Sequence, residues 1–153
     1  MVGVRDHRDL DVWKLCDELR ARVTALIALP AFDGHPWLRR QLHDAVESLC
    51  PNLAEGFSRF YPSENATFVR ITKASLTEVI EHLRRAMELK LVDPAAAEAT
   101  ATLARRARGA STRYVIYLES ADLPHRKPSA RRRRCPPNRT PEPCVTRRRR
   151  APQ

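Results

Sequence analysis

Only four glycines occur in 153 residues, too few for a chain of short strands joined by glycine turns. There is no glycine-rich phosphate loop and no serine in a glycine-flanked elbow, so Ser48, Ser58 and Ser75 lack the setting of a hydrolase nucleophile. No run reaches the roughly 20 apolar residues of a membrane-spanning helix. The opening stretch MVGVRDHRDLDVWK is charged throughout, unlike a secretory leader. Cys16, Cys50, Cys135 and Cys144 lack the paired spacing of a zinc site or a small disulfide scaffold. These shortages predict a cytoplasmic protein with reduced thiols, no membrane association and no cofactor.

Charge is abundant but unevenly placed. Residues 1–124 hold 17 Lys and Arg against 17 Asp and Glu, net zero, whereas residues 125–153 hold 11 against the single Glu142, net +10. The sequence pI of about 10.3 therefore describes the end of the chain and not its folded part. Beyond Leu123 the chain is rich in Pro and Arg, has almost no apolar residues and contains no aromatic residue after His125. It cannot bury enough surface to fold alone and reads as a disordered tail.

Before the tail, apolar residues recur at three- and four-residue steps, the period of one helical face. The first stripe, in residues 9–29, is Val12, Leu15, Cys16, Leu19, Val23, Leu26 and Ile27, with Asp9 placed as N-cap and Pro30 as stop. PAFDGHP (30–36) reads as a turn around Gly34 that delivers Pro36 to the first position of a second helix. There the stripe is Leu38, Leu42, Ala45, Val46, Leu49, Leu53, Gly56, Phe57 and Phe60. Ser63 is placed to cap a third helix carrying Phe68, Ile71, Leu76, Val79, Leu83 and Met87. Asp93-Pro94 ends it and starts a fourth, in which Ala97, Ala101, Ala104, Ala107, Ser111, Tyr114, Val115 and Leu118 share a face. Its small residues let a neighbouring helix approach closely, inside the bundle or in another subunit. The expectation is an all-α protein: an antiparallel up-down-up-down four-helix bundle over residues 1–124, followed by the tail, residues 125–153.

The stretch PNLAEGFSR (51–59) places Pro51, Asn52 and Gly56 inside the second helix, where each is a poor member. Pro51 leaves the Glu47 carbonyl without its helical donor, and Gly56 lets a second backbone or a large side chain come close. Gln41, Ser48, Asn52, Glu55 and Arg59 line a polar side, with Glu55 and Arg59 spaced for an i,i+4 ion pair. The stretch thus reads as a kinked, close-packed contact.

Together, DLDVWKL (9–15), WLRRQL (37–42), PNLAEGFSR (51–59) and SLTEVIEHL (75–83) resemble the bacterial four-helix-bundle family also called 23S rRNA intervening-sequence proteins, over roughly residues 6–120. The resemblance implies a non-enzymatic bundle that assembles as a homopentamer, with nucleic-acid binding as the working idea. Its relatives include proteins encoded in rRNA intervening sequences and others that accompany reverse transcriptases in diversity-generating retroelements. It marks Trp13, Gln41, Asn52, Glu55, Gly56, Phe57 and Arg59 as motif and packing positions. The chain departs from the pattern at His43 and Asp44, where relatives often carry arginine, at Ala74 in place of a glycine, and in the position of Pro51.

Two candidate polyanion contacts follow. One is the pair of tail runs, Arg131, Arg132, Arg133 and Arg134 with Arg147, Arg148, Arg149 and Arg150, and the charge arithmetic places the affinity there. The other is a surface assembled by oligomerisation around Arg39, Arg40, Arg105, Arg106 and Arg108. The implied partners are further copies of the chain, RNA or DNA, and a reverse transcriptase or other protein. The alternative is a metal-dependent enzyme using His43 with Glu47 and Glu78 with His82, each pair at i,i+4. Di-metal bundles, however, use Glu-x-x-His, which the sequence lacks.

Overall fold

The structure, a computed structural model, describes residues 4–122. The expected tail and both its arginine runs lie outside the described residues. Five α-helices follow in order: α1 (Asp11–Ile27), α2 (Pro36–Glu47), α3 (Leu49–Ser58), α4 (Pro62–Glu88) and α5 (Pro94–Asp122), with short 3-10 turns at His7–Asp9 and Pro30–Phe32. Because Ser48 keeps helical angles, φ −75° and ψ −20°, α2 and α3 continue one another and the described chain forms four rods. No strand occurs among the described residues. α1 packs against α2, α3 and α5, and α4 packs against α2, α3 and α5.

The core is one cluster fed by every rod. Leu19, Val23, Leu42, Val46, Leu76 and Leu83 are wholly buried in it, and the alanine face of α5 is buried at Ala97, Ala101, Ala104 and Ala107. Small side chains there bring α5 close to α4, and these two helices share the most extensive interface in the molecule. Three of the four buried polar residues among the described ones satisfy themselves locally. The hydroxyls of Thr72, Thr100 and Ser111 donate to carbonyls four residues earlier in their own helices, at 3.1, 2.8 and 3.0 Å.

Several helix ends differ from the sequence expectation. Asp9 sits in the 3-10 turn and does not cap α1; Leu10 occupies that N-cap without a side-chain bond, and Asp6 instead accepts from the Arg8 amide at 2.8 Å. Ser63 lies inside α4, which starts at Pro62 after Tyr61. Phe60 lies outside the core, 89% exposed, because α3 ends at Ser58 and the next residues turn outward. At the start of α4 the buried face is Asn65, Ala66, Val69 and Thr72; Ile71 is exposed and Phe68 only half-buried. The 30–36 turn is held by the wholly buried Phe32, and Gly34 adopts no positive φ. Asp93 behaves as expected, its Oδ2 accepting from the Ala96 amide at 2.9 Å as α5 begins.

The end of α4 had no glycine to announce it. Lys90 takes φ +56°, the Lys90 amide donates to the Met87 carbonyl at 2.9 Å, and the Leu91 amide donates to the Ala86 carbonyl at 3.0 Å. This is the paired-bond helix stop that ordinarily carries glycine at the left-handed position. A side chain there is strained. Lys90→Gly is therefore expected to stabilise the protein by about 1 kcal/mol, read as a higher urea midpoint; a lower midpoint would show that Lys90 supplies a contact outweighing the strain.

Candidate functional site

The PNLAEGFSR stretch forms the joint between α2, α3 and α4. Ser48 Oγ lies 2.8 Å from the Ala45 carbonyl and 2.9 Å from Ser75 Oγ on α4, so a hydroxyl pair bridges the two rods between α2 and α3. Asn52 Nδ2 donates to the Ser48 carbonyl at 2.8 Å, next to the Glu47 carbonyl that Pro51 leaves without a helical donor. One turn on, Gly56 meets α4. A Cβ built at Gly56 would stand 2.8 Å from both Asn65 Oδ1 and Phe68 Cβ and 3.2 Å from the Asn65 carbonyl oxygen. No side chain fits there without displacing α4. Glu55 and Arg59 make the expected i,i+4 ion pair, and the Arg59 guanidinium lies over the Phe68 ring, 5.1 Å from its centroid.

Asn65 carries the contact onward to α5. It is 7% exposed, and its Nδ2 donates to the Tyr114 hydroxyl at 3.0 Å. Its Oδ1 is buried without a partner. Burial pushes the Tyr114 phenol above its ordinary range, opposed by the bond to Asn65. Tyr114 stacks on Tyr117, with centroids 6.4 Å apart and planes 13° from parallel. These two rings, Phe57 and Val4 line an open pocket of about 500 Å³ whose rim includes Asp9, Asp11 and Arg113.

Sharing Asp11 and Arg113 with that pocket is a groove of about 660 Å³ between α1 and α5, lined also by Lys14, Arg105 and Arg106. Arg105 is paired with Glu98. Lys14, Arg106 and Arg113 have no ion-pair partner among the described residues. Arg106, Gly109 and Arg113 fall on one side of α5, and Arg113 Nη1 lies 3.6 Å from where a Gly109 Cβ would be. A chain neutral overall through residue 124 thus concentrates positive charge along one face.

The remaining candidates are dispersed. Trp13 is half-buried on α1, edge-on to His7 with centroids 5.9 Å apart, and His7 lies 6.2 Å from Phe57, so Trp13 and Phe57 belong to one aromatic cluster. Gln41 is half-buried on α2. Arg39 holds the 30–36 turn through Asp33 at 2.6 Å, while Arg40 is exposed on the same helix and Arg108 is half-buried on α5. The metal-ligand pairs do not converge: His43 Nδ1 is 3.2 Å from Asp44, Glu47 is 3.8 Å from Arg20, and His82 packs edge-on to Trp37. No three His, Cys, Asp or Glu side chains cluster among the described residues. Lys14, Arg113, Asn65 and Tyr117 escaped the sequence reading. Arg106, Gly109, Arg113 and Tyr117 do recur at helical spacing opposite the alanines, but the addition of Lys14 depends on α1 lying alongside.

Burial pushes the Cys16 thiol up from 9.0 to about 12, helped by nearby Cys50, and pushes Cys50 up to about 11. Both are protonated at neutral pH and are poor nucleophiles.

A family model described as 23S rRNA-intervening sequence protein matches residues 8–110. No curated protein matches the chain.

Two outcomes follow from this geometry. Gly56→Ala is expected to destabilise by about 1–3 kcal/mol through overpacking, opposite in sign to the gain of about 1 kcal/mol that helix propensity alone would give; urea melts of Gly56→Ala and Gly56→Leu decide, with leucine the worse. The thiols predict an alkaline limit. In the unfolded chain they ionise near pH 9 while the folded chain keeps both protons, so the unfolded state binds fewer protons and stability falls as pH rises above about 9. Each thiol contributes up to about 1.4 kcal/mol per pH unit in that window. Urea midpoints from pH 8 to 11 test it: Cys16→Val should flatten the fall, and an unchanged slope would remove Cys16 as its cause.

Proposed function

Because the chain belongs to the 23S rRNA-intervening sequence protein family, we propose that it is a non-enzymatic, self-assembling helical scaffold that serves a nucleic-acid process in the cytoplasm, beside an rRNA or as accessory to a reverse transcriptase. The observation that carries this reading is the use of the PNLAEGFSR stretch. Asn52 bonds the Ser48 carbonyl where α2 passes into α3, Glu55 is spent on Arg59, and Gly56 admits α4, so each of these motif residues serves helix joining and leaves no polar pair aimed at a substrate. The metal-dependent alternative is disfavoured because His43, Glu47 and His82 are each engaged by a different neighbour.

Self-assembly is supported by apolar side chains left outside the core. Phe60, Tyr61 and Ile116 are 89%, 58% and 60% exposed, the kind of surface that a second copy covers. An up-down-up-down course is part of the same reading. It is supported by pairings that run in opposite directions along neighbouring rods: Arg20 faces Glu47 while His7 faces Phe57, and Ser48 meets Ser75 while Gly56 meets Asn65. No helix among the described residues is long and apolar enough to cross a membrane.

Light scattering on the full chain, with metal analysis of the same sample, tests the proposal. The expected result is a defined oligomer, five copies being the resemblance's implication, with no stoichiometric metal. A monomer would remove the scaffold, and one equivalent of zinc, manganese or iron would restore the enzyme reading.

A further inference from the structure

The tail has no aromatic residue after His125 and so offers a nucleic acid only charge. The bundle offers more. Along one side of α5, Arg106, Gly109, Arg113 and Tyr117 follow at three- and four-residue steps, a stripe on the order of 16 Å long at 1.5 Å per residue. Lys14 on α1 faces it across the groove. At its far end the groove joins the pocket lined by Phe57, Tyr114 and Tyr117, in which Tyr117 is 51% exposed and lies parallel to the half-buried Tyr114. A positive groove that leads onto an aromatic face is the arrangement by which proteins hold single strands, the cations tracking the phosphates and the ring accepting a base.

We propose that the α1/α5 face binds a single-stranded polynucleotide, with phosphates seated among Lys14, Arg106 and Arg113 and one base stacked on Tyr117. The inference rests on the nucleic-acid association proposed above and locates it on the bundle in addition to the arginine runs. Each element has a reason to be where it is. Arg105 also lines the groove but is already neutralised by Glu98. Gly109 keeps the floor free of a side chain beneath Arg113. Tyr114, tied to Asn65, fixes the ring against which Tyr117 lies. Asp9 and Asp11 line the pocket, and Asp11 lines the groove as well; these carboxylates repel phosphate from the shared end toward Arg106. A duplex is excluded from the stacking step because its bases are already stacked on each other.

The test uses the full chain and fluorescence anisotropy with a short labelled oligouridylate, its deoxy counterpart and the corresponding duplex, over a salt series. Neutralising the groove with Lys14→Gln, Arg106→Gln and Arg113→Gln together is expected to lower the slope of log affinity against log salt by about 2, at about 0.7 for each phosphate released on a single strand. Tyr117→Ala should weaken binding roughly tenfold, the scale of one base–aromatic stack, and leave the slope unchanged. The duplex should be indifferent to Tyr117→Ala, and comparing the two single strands identifies which sugar the face prefers. All four residues are exposed, so circular dichroism should report an unchanged fold. If both variants bind like the parent while neutralising Arg131 to Arg134 and Arg147 to Arg150 abolishes binding, the groove is overturned and the functional proposal stands. If poly-glutamate protects the groove as well as RNA does, it is a protein-docking face and the inference is likewise overturned. A parent that binds no strand even at low salt overturns the nucleic-acid role itself.

Discussion

The approach of the Gly56 backbone to α4 sets the geometry on which the rest of the bundle depends. Two helices carrying ordinary side chains stand 8–10 Å apart; here hydrogen takes the place of a side chain, and Asn65 and Phe68 move into that space. Asn65 is thereby buried at the α3–α4 seam with its Nδ2 turned to Tyr114 on α5. The hydroxyl bridge from Ser48 to Ser75 and the Arg59 guanidinium over Phe68 lie along the same seam. A poor helix former at residue 56 is thus the condition for a good interface.

Much of this was legible from periodicity. The stripes of α1, α2 and the second half of α4 gave the core residues, because a long amphipathic segment has one stable way to bury its apolar side. Gly56, Pro51 and the Glu55–Arg59 pair were legible because each violates or satisfies a local helical rule. The beginning of α4 was misread for a physical reason: Asn65 and Thr72 occupy core positions that polarity disguises, and the nearby Phe68 and Ile71 suggested a face shifted by a residue. Phe60 was misplaced because hydrophobicity alone does not say where a helix ends. Lys90 could not be foreseen, since its left-handed backbone is imposed by the hydrogen bonds around it and contradicts its residue type.

The α1/α5 face shows the limit of counting charges along a chain. A net charge of zero through residue 124 is compatible with local potentials of either sign, because folding sorts side chains in space irrespective of their order. Acidic partners neutralise some arginines, as Glu98 does Arg105 and Asp33 does Arg39. Those that folding leaves on one side of α5 gather beside Lys14 from a distant part of the sequence. Sequence spacing exposes half of such a face, and only packing supplies the other half.

The alanine face of α5 has a consequence for alignment along its axis. Ala97, Ala101, Ala104 and Ala107 present α4 with repeated, nearly identical notches, so a slide of one turn, about 5.4 Å, would replace methyl by methyl with little change in fit. Apolar burial is nearly blind to such a displacement. The Asn65–Tyr114 bond is not, because a one-turn slide leaves a buried amide facing no donor or acceptor, a loss of about 1–3 kcal/mol. That buried link, with the exposed Arg70–Glu119 ion pair between the same two helices and the short Asp93-Pro94 connection, acts as the indexing pin of an otherwise smooth rail.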